Sequence, residues 1–184
     1  MLLALRGSAV LGVADLWAAL VSVADLWPSV RRFGVAASLV TGRAQTRAVA
    51  LADLHVANVL GIPPTGIAPA RFLGNPSTPT PLPLVLASSG HYVARALAPG
   101  RDEAEALDRG LARAVRITAT ETARAGTDAV AAIAQDRTEG WRRVTGPKPC
   151  PICAGLADGS INPWDDEEKI SAHPHCSCVA EIVQ

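Results

Sequence analysis

The pattern of apolar and polar positions predicts helices over most of the chain. Residues 8–27 form an apolar stretch that predicts one helix, ended by Pro28. Residues 30–60 carry apolar side chains at loose helical spacing, which predicts a second helix. The positions that define the apolar face of this second helix are Val35, Leu39, Val49, Leu54 and Leu60.

The first stretch is apolar enough to raise the question of a membrane span. Arg6, Asp15 and Asp25 interrupt it, and a carboxylate near the middle of a bilayer is costly. Its only early positive charge lies inside the apolar run, which does not fit a secretory signal. We therefore expect a soluble, buried helix and no membrane partner. Trp17 and Trp27 either form an apolar surface for a partner or belong to the core.

Proline separates the helical parts of the chain. Residues 63–83 are rich in proline, which excludes a helix or a central strand and predicts an extended linker without regular secondary structure. The linker either lets the flanking helical parts dock on different surfaces or packs as an ordered strap. A short helix is expected at residues 84–98.

Residues 101–136 show the clearest periodicity. Small and apolar side chains recur every three or four residues, while charged side chains, including Glu121, fall on the other faces. This pattern predicts a long amphipathic helix that packs closely against a neighbour. The residues of the apolar face are Leu107, Leu111, Val115, Thr118, Thr122, Ala125, Ala129 and Ile133.

Two short strands are expected near the end of the chain, at residues 141–145 and 176–183. The fold class is therefore mainly α, with a small C-terminal α+β zinc-knuckle module. The expected organisation is an N-terminal helical region (1–62), a proline-rich linker (63–83), a second helical region (84–140) and the module (141–184).

Composition and charge limit the classes of function that fit this chain. The chain has 49% hydrophobic residues but only two Phe and one Tyr, which suits closely packed helices. The formal net charge is 0, with an acidic balance in residues 150–184. Affinity for nucleic acid rests largely on neutralising phosphates, so this balance does not favour a nucleic-acid binder.

The four cysteines lie close together, in the stretch "CPICAGLADGSINPWDDEEKISAHPHCSC". A C-x2-C turn directs two sulfurs at one centre, and the cysteines of a C-x-C strand project from one face. A histidine three residues before the second pair adds an imidazole. Zinc takes four such ligands in a tetrahedron, so we expect a structural Zn²⁺ site with five candidate ligands for four places. The candidates are Cys150, Cys153, His173, Cys176 and Cys178.

Other chemistries of these cysteines remain as alternatives. Two disulfides would stabilise a small module, and "CPIC" has the spacing of a redox-active pair, although no βαβ pattern surrounds it. "PCPIC" also matches part of a zinc deaminase site, which needs an upstream H-x-E. Neither His55 nor His91 is followed by Glu at the second position. We therefore expect no catalytic site and no small-molecule substrate.

The C-terminal half resembles the phage Mu F-like minor head proteins, also called phage head morphogenesis proteins. The resemblance covers about residues 105–183 and rests on five motifs in the same order. These are "RITATETARAG" with Thr120 and Glu121, "GWRRVT" with Trp141, "CPIC", "GLADG" with Leu156 and Gly159, and "HPHCSC" with His173, Pro174, Cys176 and Cys178. The sequence departs from the family at Ser177, where the family usually has Arg.

The resemblance is to the members of this family that occur in actinobacteriophages. It implies a structural virion protein inside the phage head, near the portal. It also implies a role in head assembly or in genome packaging and delivery, and residence in the host cytoplasm during assembly. The implied partners are the portal protein, the major capsid protein or both, with packaged DNA a weaker candidate. The alternative is a zinc-knuckle adaptor that binds nucleic acid or a regulatory partner.

Overall fold

The computed structural model describes residues 2–74, 80–145, 151–164 and 179–183. In these ranges the protein is mainly α-helical with one two-stranded antiparallel sheet, as the sequence predicts. The elements are α1 (Leu2–Leu20), α2 (Leu26–Leu60), a 3-10 helix (Pro69–Phe72), α3 (Leu82–Ala87), α4 (Ser89–Leu97), α5 (Glu103–Ala134), β1 (Gly140–Val144), α6 (Pro151–Leu156) and β2 (Val179–Val183).

The break between the first two helices lies earlier than the prediction placed it. Helix α1 ends at Leu20, and Pro28 lies in the first turn of α2, so the predicted boundary at Pro28 is wrong. Proline is tolerated in a first turn because the N–H that it lacks would have no partner within the helix. The Ser29 hydroxyl closes the junction: it accepts a hydrogen bond from the Ser22 N–H at 3.2 Å.

Helix α2 buries its small side chains and exposes several large ones. Val35, Leu39 and Leu54 point outward, so the predicted apolar face of this helix is wrong at these three positions. Alanine permits a close approach of neighbouring helices, and the alanine-rich face is the one that packs. The buried apolar residues of α2 are Val30, Phe33, Ala37, Ala44, Ala48, Val49, Ala52, Val56 and Ala57.

One core joins the helices on both sides of the proline-rich segment. Trp17 of α1 packs edge-to-face on Phe33 of α2, with ring centroids 5.0 Å apart. Trp17 is therefore a core residue, whereas Trp27 is half-exposed. Leu86 of α3 and Ile117 of α5 belong to the same cluster. Within the described ranges, no helix is long and apolar enough to cross a membrane.

Helix α5 lies at the centre of the bundle, in contact with α1, α2, α3 and α4. It lies inside the predicted range 101–136, and Asp102 caps its start by accepting a hydrogen bond from the Glu105 N–H at 2.9 Å. The prediction is wrong for Glu121, which is only 6% exposed although it was placed on a charged face. A central helix packs against neighbours on several sides, so it buries more residues than those of the predicted apolar face.

Residues 63–74 of the proline-rich segment form an ordered strap on α2, whereas residues 75–79 lie outside the described residues. The Asp53 carboxylate accepts hydrogen bonds from the Thr65 N–H, the Thr65 hydroxyl and the Gly66 N–H, each at 2.8 Å. Two turns earlier, the Gln45 side chain bonds both backbone groups of Gly74. The segment contains the 3-10 helix Pro69–Phe72, so the prediction of no regular secondary structure is wrong there.

Candidate metal centre

The two strands of the C-terminal module form a small sheet with one buried face. β1 pairs antiparallel with β2, with Trp141 opposite Ile182 and Val144 opposite Val179. Side chains alternate between the two faces of a strand, so Trp141 and Arg143 project to the same side. Both are buried, as is Ile182, while Arg142 and Val144 are exposed. The inner face therefore carries a guanidinium beside an indole, with the Arg143 Cζ 5.8 Å from the Trp141 ring centroid.

A third segment pairs with the other edge of β1. The Trp141 N–H donates to the Asn162 carbonyl at 2.8 Å, and the Asn162 N–H donates to the Trp141 carbonyl at 2.7 Å. Gly140 permits this approach, because a Cβ at this position would lie 2.3 Å from the Asn162 carbonyl oxygen. The segment from Trp141 to Asn162 thus closes into a loop that begins and ends on β1.

The turn after α6 directs the chain back toward β1. The Asp158 carboxylate accepts hydrogen bonds from the Ser160 hydroxyl at 2.6 Å and from the Ser160 N–H at 2.9 Å. These bonds lower the pKa of Asp158. Gly159 has a φ of 84°, in the left-handed region that glycine adopts most easily. The "GLADG" motif that contributed to the family resemblance spans the end of α6 and this turn.

The module is anchored on the far end of the helical bundle. Ile182 of β2 packs with Val56 of α2 and Ile133 of α5 in a small apolar cluster. The Trp164 indole N–H donates to the Thr138 hydroxyl at 2.7 Å, just after α5. The sheet is therefore held against the ends of two long helices, α2 and α5.

Cys153 is the candidate ligand that the described structure places. It lies in α6 and is fully buried, and the Arg143 Nη1 donates a hydrogen bond to its sulfur at 3.7 Å. The thiolate is the form of cysteine that binds metal. Cys153 lies in the short helix Pro151–Leu156, and the predicted C-x2-C turn stays a prediction because Cys150 lies outside the described residues.

The other predicted ligands lie outside the described residues: Cys150, His173, Cys176 and Cys178. Among the residues that the structure describes, no three His, Cys, Asp or Glu side chains form a group that could hold a metal. The sequence nevertheless ties the ligand pairs to described elements, since Cys150 directly precedes α6 and Cys178 directly precedes β2. The buried Cys153 sulfur and its guanidinium neighbour fit a thiolate zinc site.

Arg143 and Asn162 were not predicted as functional residues of this module. Arg143 could have been found from the period of two along β1, which places it on the same face as the apolar Trp141. Asn162 gave no comparable signal. Comparison of the chain with protein-family models, curated proteins and solved structures finds no match.

Proposed function

We propose that this protein is a non-enzymatic structural component of a tailed-phage head, with one structural zinc ion in its C-terminal module. The observation that carries the proposal is the arrangement around Arg143 and Cys153. β1, α6 and the "GLADG" turn, each of which carries a motif of the Mu F-like resemblance, meet in one small unit. The motif order in the sequence thus corresponds to a compact arrangement of the described residues.

In this proposal, zinc is held by Cys150, Cys153 and two of His173, Cys176 and Cys178. A closed site with four protein ligands leaves no position for a reacting water, so the ion is structural. Small modules of this kind draw much of their folding free energy from the metal. Arg143 offsets part of the negative charge of the thiolates from inside the module.

The proposed location is the interior of the head, with the portal protein or the major capsid protein as partner. Two features support a role in docking. Helix α2 exposes Val35, Leu39 and Leu54 along its outer side, and α1 exposes Leu11. Contiguous exposed apolar surface is typical of protein interaction sites, so these side chains are candidate contacts for a partner. DNA remains the weaker candidate partner because the chain has no net charge.

A gene deletion in a propagating phage tests the location and the role together. Particles from the deletion strain should be few, empty or non-infectious, and purified wild-type particles should contain the protein. Complementation with the wild-type gene should restore infectious particles. Normal yields of DNA-filled infectious particles from the deletion strain, with no trace of the protein in wild-type virions, would contradict the proposal.

A further inference from the structure

An open groove lies between the start of α2 and the α3–α4 pair. Trp27 and Arg31 line it from α2, and Leu84, Ala87 and His91 line it from α3 and α4. Its volume is about 470 Å³, within the usual range for ligand sites of about 300–1,000 Å³. The Trp27 and His91 ring centroids lie 4.9 Å apart, so the indole is supported on one side while it remains 43% exposed.

A row of exposed side chains runs from the groove along α2, and apart from Arg31 these side chains are apolar. Trp27, Arg31, Val35 and Leu39 follow one another at steps of four residues, about 6 Å along the helix axis. Val35 and Leu39 are 58% and 62% exposed, and Leu84 on the opposite wall is 58% exposed. Single exposed aliphatic residues are ordinary, but a contiguous set beside a groove is typical of a docking surface.

Among the described residues, Arg31 is the one arginine or lysine side chain that lines the groove. No carboxylate lines it, and within the described ranges no acidic side chain forms an ion pair with Arg31. The neighbouring Arg32 is paired with Asp25. The single acidic residue of α2, Asp53, is buried and bound to the strap. Arg31 is exposed and lines the groove, so an occupant with a carboxylate beside it would gain an ion pair.

We propose that this groove binds an amphipathic helix of another protein, with acidic residues beside its apolar face. Both walls of the groove are helices, and the spacing of about 6 Å along α2 matches the i, i+4 ridges of a packed helix. Leucine-like side chains would contact Trp27, Leu84 and Val35, and a carboxylate would pair with Arg31. This surface lies on the helical bundle and involves no zinc ligand, so it goes beyond the proposed metal centre. The proposal applies to any partner protein whose docking helix has this apolar face and these acidic residues.

The test uses a labelled synthetic peptide of about 18 residues, five helical turns. It carries Leu at i, i+3, i+4 and i+7 positions and Glu on the flanking positions, and a matched peptide carries Lys in place of Glu. Fluorescence anisotropy should show binding of the Glu peptide that weakens as salt is raised from about 0.05 to 0.5 M. The Lys peptide should bind about tenfold more weakly or less, as expected for like charges at an interface.

Variants of the full-length chain identify the surface. Leu84→Asp and Arg31→Glu should each weaken binding of the Glu peptide about tenfold or more, the change produced by losing ~1.4 kcal/mol. Ile161→Asp is the control, because Ile161 is also exposed but lies in the C-terminal module, outside the groove. All variants should keep the circular dichroism spectrum of the wild type.

Three outcomes would overturn the proposal. The first is no binding of the Glu peptide, or equal binding of both peptides. The second is binding that Leu84→Asp does not change. The third is self-association of the wild type that Leu84→Asp abolishes in light scattering, because a second copy of the chain would then occupy the groove.

Discussion

The guanidinium of Arg143 lies beside the sulfur of Cys153, with the Nη1–Sγ distance at 3.7 Å and both side chains buried. Arg143 is on β1 and Cys153 is on α6, so this contact joins the sheet to the helix that contains the second cysteine of the C-x2-C pair. A buried arginine is costly unless its donors find partners, and the Cys153 sulfur accepts a hydrogen bond from one of them. A zinc site would in turn gain from a cation that offsets its thiolates.

Replacing Arg143 should weaken zinc binding without removing a ligand. Arg143→Met keeps the length of the side chain but loses the charge and the donor to Cys153. Residues that support metal ligands contribute about 10–100-fold in affinity, so a loss of this size is expected in a competition titration with a chelator.

The matched control is Arg142→Met, because Arg142 is exposed on the opposite face of β1 and pairs with Glu181. Its zinc affinity should equal that of the wild type. Arg143→Lys should fall between the two, because lysine keeps the charge but not the planar fork. Equal affinity for all of these proteins would contradict a role of Arg143 at the metal.

Removing the sulfur of Cys153 should unfold the module and spare the bundle. With zinc present, Cys153→Ala should become sensitive to protease over about residues 141–184, because such modules often fold only with metal. The circular dichroism of the helices should change little, since the core around Trp17 and Phe33 lies in other elements. Native protease resistance of the mutant in this region would show that the metal is dispensable.

Asp53 should make the strap sensitive to acid. Burial alone would raise the pKa of Asp53, but the hydrogen bonds from Thr65 and Gly66 outweigh it and lower the pKa. A lowered pKa in the folded state stabilises the protein above the unfolded value of about 3.9, and this stability is lost as the pH falls through the folded value. Stability against urea should therefore decrease below about pH 4.

Asp53→Asn tests this pH dependence. The amide cannot accept all three hydrogen bonds, so the variant should lose about 1–3 kcal/mol at pH 7 and much less at pH 3. Asp15→Asn, at an exposed aspartate of α1, should leave the stability at pH 7 nearly unchanged. A constant difference between wild type and Asp53→Asn at every pH would contradict the role of the carboxylate.

The ionisation of Glu121 should lower the stability of the protein, whereas the ionisation of Asp53 should raise it. Burial raises the pKa of Glu121, Arg124 opposes the shift, and Asp128 adds to it. Its Oε2 has no hydrogen-bond partner in the described structure. A raised pKa in the folded state means that stability falls as the pH rises from about 4.3 through the folded value.

Glu121→Gln should consequently stabilise the protein at pH 7, by about 1 kcal/mol, the lower end of the cost of an unsatisfied buried group. The gain should disappear near pH 4. Glu139→Gln, at an exposed glutamate, provides the control. A variant that is less stable than wild type at pH 7 would show that the carboxylate has a partner that stabilises the bundle.

The long helices were predictable, but their buried faces were not. The period of α5 is clear because its small residues recur over 32 residues. In α2 the larger aliphatic side chains Val35 and Leu39 looked like the core face, yet the closer packing of alanines decided which face is buried. Hydropathy alone ranks Leu above Ala, whereas helix packing depends on how closely two backbones can approach.

The cysteine spacing predicts the candidate ligands, whereas the surroundings of Cys153 are known only from the structure. The ligand candidates are short-range features of the sequence, and Cys153 is buried as a metal ligand should be. The contact between Arg143 and Cys153 depends on how β1 and α6 pack, and no local pattern encodes it. The same applies to Asn162, whose bonds to Trp141 depend on the Gly159 turn.

An asymmetric electron cryo-microscopy reconstruction of the intact particle tests the central claim most directly. It should show the α1–α5 bundle attached inside the head, at the portal or the shell, with a metal-strength peak next to the Cys153 sulfur. A map that accounts for the portal and the shell without this bundle, from particles whose mass spectra also lack its peptides, would contradict the assignment.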